Sequence, residues 1–157
     1  MTSNSTQFNR VRASDVNAAF RYACEALVQD PSDTLLLNEV LASAENEEMQ
    51  DKAPAELGRL ADTVQALPVS PAIKNRFALA AVAALFPHSP DQAWAALMTA
   101  FDVEPAQLSN LDWARRLAAN SKIPDLRHTL EHFAQRAETG EFPADIYMEL
   151  NDIVYTT

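Results

Sequence analysis

This amino-acid sequence predicts an all-α protein: a right-handed stack of antiparallel helical hairpins with about eight helices. Three observations carry that expectation. Only two glycines occur in 157 residues, while alanine and leucine dominate, and those side chains lose little rotamer freedom in a helix. No segment shows sustained period-two alternation bounded by turn residues, so no sheet is expected. The prolines are also regularly placed. Pro31, Pro68 and Pro105 stand 37 residues apart, and Pro68 to Pro87, Pro71 to Pro90, Pro105 to Pro124 and Pro124 to Pro143 are each 19 apart. Prolines at helix boundaries at such intervals mean helices of similar length joined by short turns, hence an array of hairpins.

The elements follow in order. Residues 1–11 are rich in Ser, Thr and Asn without apolar periodicity, which predicts a disordered tail. Ser14 offers a cap for a first helix over 14–29, in which Val16, Ala19, Phe20, Ala23, Ala26 and Leu27 share a face. That helix stops before Pro31, because a proline pushes its predecessor out of helical geometry. A second helix over 33–45 carries Leu35, Leu36, Leu37, Val40 and Leu41, and a third starts at Pro54 and ends at Pro68. Ser70-Pro71 starts a fourth, running to about Phe86, whose apolar character places it at the centre of the core. Ser89 and Gln92 spell a capping box around Pro90 for a fifth helix over 90–102. Pro105 opens a sixth, with Leu108, Leu111, Trp113, Ala114 and Leu117. Pro124 opens a seventh that ends at Gly140, and Pro143 opens an eighth through Ile146, Met148, Leu150, Ile153 and Val154.

Composition narrows the function. Twenty-two acids against twelve bases give a net charge of −10, which repels a phosphate backbone and argues against nucleic acid as a partner. The longest apolar run, Phe77 to Phe86, is too short to span a bilayer, so no membrane partner is expected. Cys24 is the only cysteine; it sits in an alanine-rich helical pattern, where a buried, inert thiol is the expectation. The polar start has no apolar h-region, which reads as no secretory signal and a cytoplasmic protein. Acids concentrate in 45–62 (Glu45, Glu47, Glu48, Asp51, Glu56, Asp62) and after Arg136 (Glu138, Glu141, Asp145, Glu149, Asp152).

Side chains echo the proline period. Ala19-Phe20-Arg21-Tyr22-Ala23, continuing through Ala26 to Asp30-Pro31, is matched 74 residues later by Ala93-Trp94 through Leu97, Ala100 and Glu104-Pro105. In this the chain resembles the tetratricopeptide repeat family, whose second helix carries small, large and small residues followed by a proline. Ala19, Ala23, Ala26 and Pro31 match that pattern, as do Ala93, Leu97, Ala100 and Pro105. The 56–68 copy keeps only Leu60 and Pro68, and in the 130–142 copy Ala134 and Ala137 agree with the proline displaced to Pro143. The period of 37 exceeds the family's usual 34, and the Trp, Leu, Gly and Tyr pattern of its first helix is absent. Independently of the family, small residues let paired helices approach to the short end of the usual ~8–10 Å spacing. The expected organisation is one helical-repeat domain, 12–157, with repeats 32–68, 69–105 and 106–142 flanked by helices 14–29 and 143–155.

One offset after each proline selects Asn38, Asn75 and Asp112, 37 residues apart. The resemblance implies that this position faces a groove holding an extended peptide, with Arg76 and Arg116 close by to meet a carboxylate. These five residues are the candidate partner-binding groove. The alternative is that three short polar residues coincide in register on solvent faces. The implied function is non-catalytic: an adaptor or small chaperone holding a protein segment without a cofactor, with homodimerisation through exposed stack ends as a further possibility. A second reading is an acidic inhibitor or immunity-type protein covering a basic site with residues 45–62 and the tail. It predicts affinity that falls steeply with salt.

His128-Thr129-Leu130-Glu131-His132 spells H-x-x-E-H, a zinc-peptidase motif with two histidines on one helix face. At 100° per residue, Leu126, Leu130, Phe133, Ala134 and Ala137 cluster within about 50° of one direction, and the histidines lie roughly opposite. An exposed pair without walls is poorly placed for metal-dependent hydrolysis. His128 and His132 are therefore weak metal candidates, and no catalytic residue is assigned.

Overall fold

The computed structural model describes residues 3–44 and 51–156. Among them are nine helices and no strand: α1 (Asn4–Arg12), α2 (Val16–Gln29), α3 (Thr34–Ala44), α4 (Ala53–Gln65), α5 (Pro71–Leu85), α6 (Pro90–Val103), α7 (Leu108–Asn120), α8 (Arg127–Glu138) and α9 (Ala144–Thr156). The chain is all-α, and α2 to α9 fall on the eight segments expected.

The helix ends show which local signals win. Ser70 caps α5, its Oγ accepting from the Ile73 N–H at 3.3 Å, with Pro71 at the first position where no N–H is needed. Ser89 holds the cap position of α6, but its side chain accepts no capping bond, so the expected Ser89–Gln92 box does not close. Asp15, not Ser14, caps α2 by accepting from the Ala18 N–H at 3.1 Å; Ser14 donates instead to the Val11 carbonyl. Helices α7 and α8 begin three residues after Pro105 and Pro124 rather than on them. Before α8, the Asp125 carboxylate accepts from the Arg127 N–H at 3.1 Å, a local turn that competes with the first helical turn. Gly140 ends α8 as expected. Its φ of +81° lets the Glu141 N–H reach back to the Arg136 carbonyl at 2.9 Å, the 6→1 bond of a glycine-terminated helix.

Residues 4–11, expected to belong to a disordered tail over 1–11, instead form α1 together with Arg12. The Ser3 side chain accepts from the Thr6 N–H, Phe8 is fully buried, and Asn4 ties the helix down at two places. Its Oδ1 accepts from the Tyr22 hydroxyl at 2.9 Å, and its Nδ2 donates to Asp33 Oδ2 at 3.1 Å. The helix has only Phe8 and Val11 as large apolar residues, too few to show periodicity. Tertiary contacts rather than propensity hold it.

Successive helices alternate between two layers. Along one, α1 lies beside α3, α3 beside α5, and α7 beside α9. Phe86, at the end of α5, meets Trp113 of α7 edge-on at 5.9 Å. Along the other, α2 lies beside α4, and Phe101 of α6 meets Phe133 of α8 at 6.4 Å. The echoing stretches thus occupy equivalent places, both in the even-numbered layer. The partner of α2 is α1, so the array starts one helix earlier than expected.

Closeness of packing follows side-chain size. Backbones approach most closely where α5 meets α4 and α6, helices that bury the small residues Ala61, Ala78, Ala81 and Ala93. Helices α3 with α4, and α7 with α8, stay further apart, since α3 buries Leu36, Leu37 and Val40 while α7 and α8 bury Leu111, Leu117, Leu130 and Phe133. Large side chains at a crossing set a wider spacing. Of the three expected repeats, 69–105 is therefore the tightly closed hairpin. As expected, α5 is central, touching α3, α4 and α6.

Candidate interaction face

The odd-numbered layer carries the residues selected by the 37-residue register: Asn38 on α3, Asn75 on α5 and Asp112 on α7. The structure does not set them out as one solvent-facing row. Asn38 and Asp112 are exposed, whereas Asn75 is 95% buried at 5% relative exposure, with its Oδ1 lacking a hydrogen-bond partner among the described residues. Asn75 lies on α5, the helix packed most closely against its neighbours α4 and α6.

The same register reaches Glu149 on α9, which the sequence reading placed only among the acids of the tail. Arg115 joins the two acids: its Nη2 lies 2.6 Å from Glu149 Oε2 and its Nη1 3.4 Å from Asp112 Oδ1. All three side chains are more than half exposed, so this bridge between α7 and α9 contributes little beyond orientation.

Arg76 and Arg116, selected to meet a carboxylate, are both exposed. Arg76 donates to the Thr34 hydroxyl at 3.3 Å, linking α5 to the first turn of α3. The Arg116 guanidinium carbon sits 4.8 Å from the Trp113 ring centroid and 5.5 Å from that of Phe86. Stacking of this kind holds the guanidinium plane and leaves its edge donors open. Among the described residues neither arginine has a carboxylate within 4.0 Å, although acids outnumber bases 22 to 12.

The strongest feature of this layer is apolar. Leu35 and Leu108 are each 69% exposed, Met148 65% and Tyr155 60%. These are the large exposed hydrophobic side chains among the described residues, and all four lie on odd-numbered helices. The sequence reading counted Leu35, Leu108 and Met148 within the apolar patterns of their helices. Leu35 and Asn38, three residues apart, share a helix stripe, and so do Leu108 and Asp112, four apart.

On the even-numbered layer, His128 and His132 face solvent, as the helical wheel requires. His132 Nε2 lies 3.3 Å from Asp102 Oδ1, which also receives Arg136 Nη1 at 2.6 Å. Among the described residues no group of three His, Cys, Asp or Glu side chains is arranged to hold a metal ion. Of the acidic stretch 45–62, residues 45–50 lie outside the described residues.

Cys24 lines a groove between α2 and α4 with Arg21, Glu25, Glu56, Arg59 and Leu60. Burial first, then the negative charges of Glu56 and Glu25 against the opposing Arg59, push its thiol up to about 12. The folded value exceeds the unfolded one, so the folded chain keeps the proton longer; stability from this site is complete below the unfolded value near 8.5 and is lost as pH rises toward 12. Thiolate absorbance of the native chain should therefore rise with a midpoint near 12, against about 8.5 for the chain in urea. Alkylation at pH 8 should be slow until the chain is unfolded, and rapid native labelling would contradict this environment.

Comparison with protein-family models, curated proteins and solved structures gives no match. Among the described residues no helix is long and apolar enough to cross a membrane. Fold and face together define a two-layer array of helices with an apolar, arginine-bearing outer surface on one layer.

Proposed function

We propose that the chain is a non-catalytic protein-interaction module, a tetratricopeptide-like adaptor or small chaperone that holds a segment of a partner on its odd-numbered layer. The observation that carries this reading is the confinement, among the described residues, of the four large exposed hydrophobic side chains to α3, α7 and α9. Exposed apolar side chains collected on one side of a molecule mark interaction surfaces, whereas singly scattered ones need no explanation. Arg76 and Arg116 add, on the same layer, two cations without acid partners among the described residues, suited to a segment that presents a carboxylate beside apolar side chains. Asn38 and Asp112 supply exposed polar groups for a main chain.

The test is site-specific photo-crosslinking in the native source. A benzophenone side chain at Leu35, Leu108 or Met148 should capture a discrete partner, while the same group at Gln135, exposed on α8, should not. Absence of adducts at the odd-layer positions, or an identical adduct at Gln135, would sink the reading. An adduct of twice the chain mass would assign the face to a second copy.

A further inference from the structure

Three grooves run along the even-numbered layer, and their walls differ in charge. Between α2 and α4 both signs are present, Arg21 and Arg59 with Glu25 and Glu56. Between α4 and α6 the lining is mostly alanine, glycine and glutamine, with Asp62 as its one ionisable side chain. The α6–α8 groove is different. It has about 610 Å³ of space, against about 460 and 260 Å³ for the other two. It is lined by Asp91, Asp102 and Asp125 and by no lysine or arginine.

Its construction follows from the packing. Phe101 on Phe133 holds α6 and α8 apart, leaving an apolar floor of Met98, Leu126 and Phe133, each 9% exposed or less. Ala95 and Thr99 on α6 are small, so nothing fills the space above the floor. His128 and His132, one turn apart, form the α8 wall. Asp102 is engaged by Arg136 and lies beside His132. Asp91 and Asp125 have no ion-pair partner among the described residues.

We propose that the α6–α8 groove is a second docking surface, which takes a cationic amphipathic segment of another protein. One apolar stripe of the segment covers Met98 and Phe133, and lysines or arginines flanking the stripe reach Asp91 and Asp125. Two uncompensated carboxylates beside an apolar floor in a chain of net charge −10 favour such an occupant over an acidic or purely apolar one, through steering and complementarity. The floor supplies affinity and the carboxylates supply selection. The H-x-x-E-H stretch then serves as a wall, its imidazole faces flanking the bound segment. This surface lies on the opposite layer from Leu35, Leu108 and Met148 and does not depend on them.

The probe is a fluorescein-labelled helical peptide with leucine at every third or fourth position and lysine between, alongside a copy with glutamate for lysine. The lysine peptide should bind the full chain by anisotropy and the glutamate peptide should not. Ala95→Arg, and separately Asp91→Asn with Asp125→Asn, should each weaken binding by about tenfold or more, a change of roughly 1.4 kcal/mol. Glu138→Gln with Asp145→Asn removes the same charge elsewhere and should change affinity by less than about twofold. In the parent chain, amide shifts on titration should concentrate at Ala95, Thr99 and Thr129, which keeps the idea testable even if a variant folds poorly. No binding of the lysine peptide, equal weakening by the control pair, or shifts confined to the odd-numbered layer would each overturn it.

Discussion

Phe8→Ala should destabilise the chain by about 3–5 kcal/mol, the range for removing a fully buried aromatic side chain. Phe8 has no solvent exposure and is the one buried residue of α1, so it carries most of the apolar contact between α1 and the helices beside it, α2 and α3. The remaining ties, Asn4 with Tyr22 and with Asp33, contribute about 0.5–1.5 kcal/mol each and cannot replace it. Against a typical total stability of ~5–15 kcal/mol, such a loss is readily measured by urea unfolding followed at the helix circular-dichroism band. An unchanged slope with a lower midpoint means that the first hairpin unfolds with the rest; a smaller slope means that it has already detached. A midpoint equal to that of the parent would show that α1 is not docked through Phe8. Deleting residues 1–12 should be at least as damaging.

Trp94→Ala is expected to be as severe, again about 3–5 kcal/mol. Trp94 is the largest of the fully buried side chains, standing in α6 where the echoing stretch of α2 has Phe20. Its indole N–H is buried without an acceptor among the described residues, and an unmade bond of that kind costs about 1–3 kcal/mol. Trp94→Phe removes volume and that unsatisfied donor together, so it should cost far less, within about 1.5 kcal/mol. Equal losses for the two variants would mean that the indole nitrogen finds a partner in solution. Trp113 remains as the fluorescence reporter in both.

How much was legible can be judged from particular residues. Prolines 54, 71 and 90 act through their own rings, fixing φ and removing an N–H, and they sit in the first turns of α4, α5 and α6. The alanines of the echo are buried as packing residues at Ala19, Ala23, Ala93 and Ala100. Ser14 gives up the cap of α2 because its hydroxyl donates to the Val11 carbonyl while Asp15 accepts the capping bond, whereas Ser89 holds the cap position of α6 without a side-chain bond. α1 escaped notice because two apolar residues make no period.

The candidate face was legible in part. The 37-residue register selected Asn38, Asp112, Arg76 and Arg116, all of them exposed on the odd-numbered layer. The same 37-residue interval from Asp112 reaches Glu149, which the structure ties to Asp112 through Arg115. Nothing local distinguishes Asn75, which is buried, from Asn38, which is not; the difference is that α5 packs more closely against its neighbours α4 and α6 than any other helix does. Leu35 and Leu108 fit amphipathic patterns as well as their buried neighbours do, and only the arrangement of the other helices leaves them uncovered.

The sequence by itself determined the all-α class and the order and approximate bounds of α2 to α9. These rest on effects spanning a few residues: backbone restriction at proline, helix propensity, and apolar spacing along one helix. Only the tertiary structure decided that residues 4–12 belong to the array, which polar residues are buried, and that the even-numbered layer opens into a groove with acids on its rim. Those outcomes depend on how many neighbours surround each helix and how far large side chains hold the helices apart, quantities that no single stretch of chain contains.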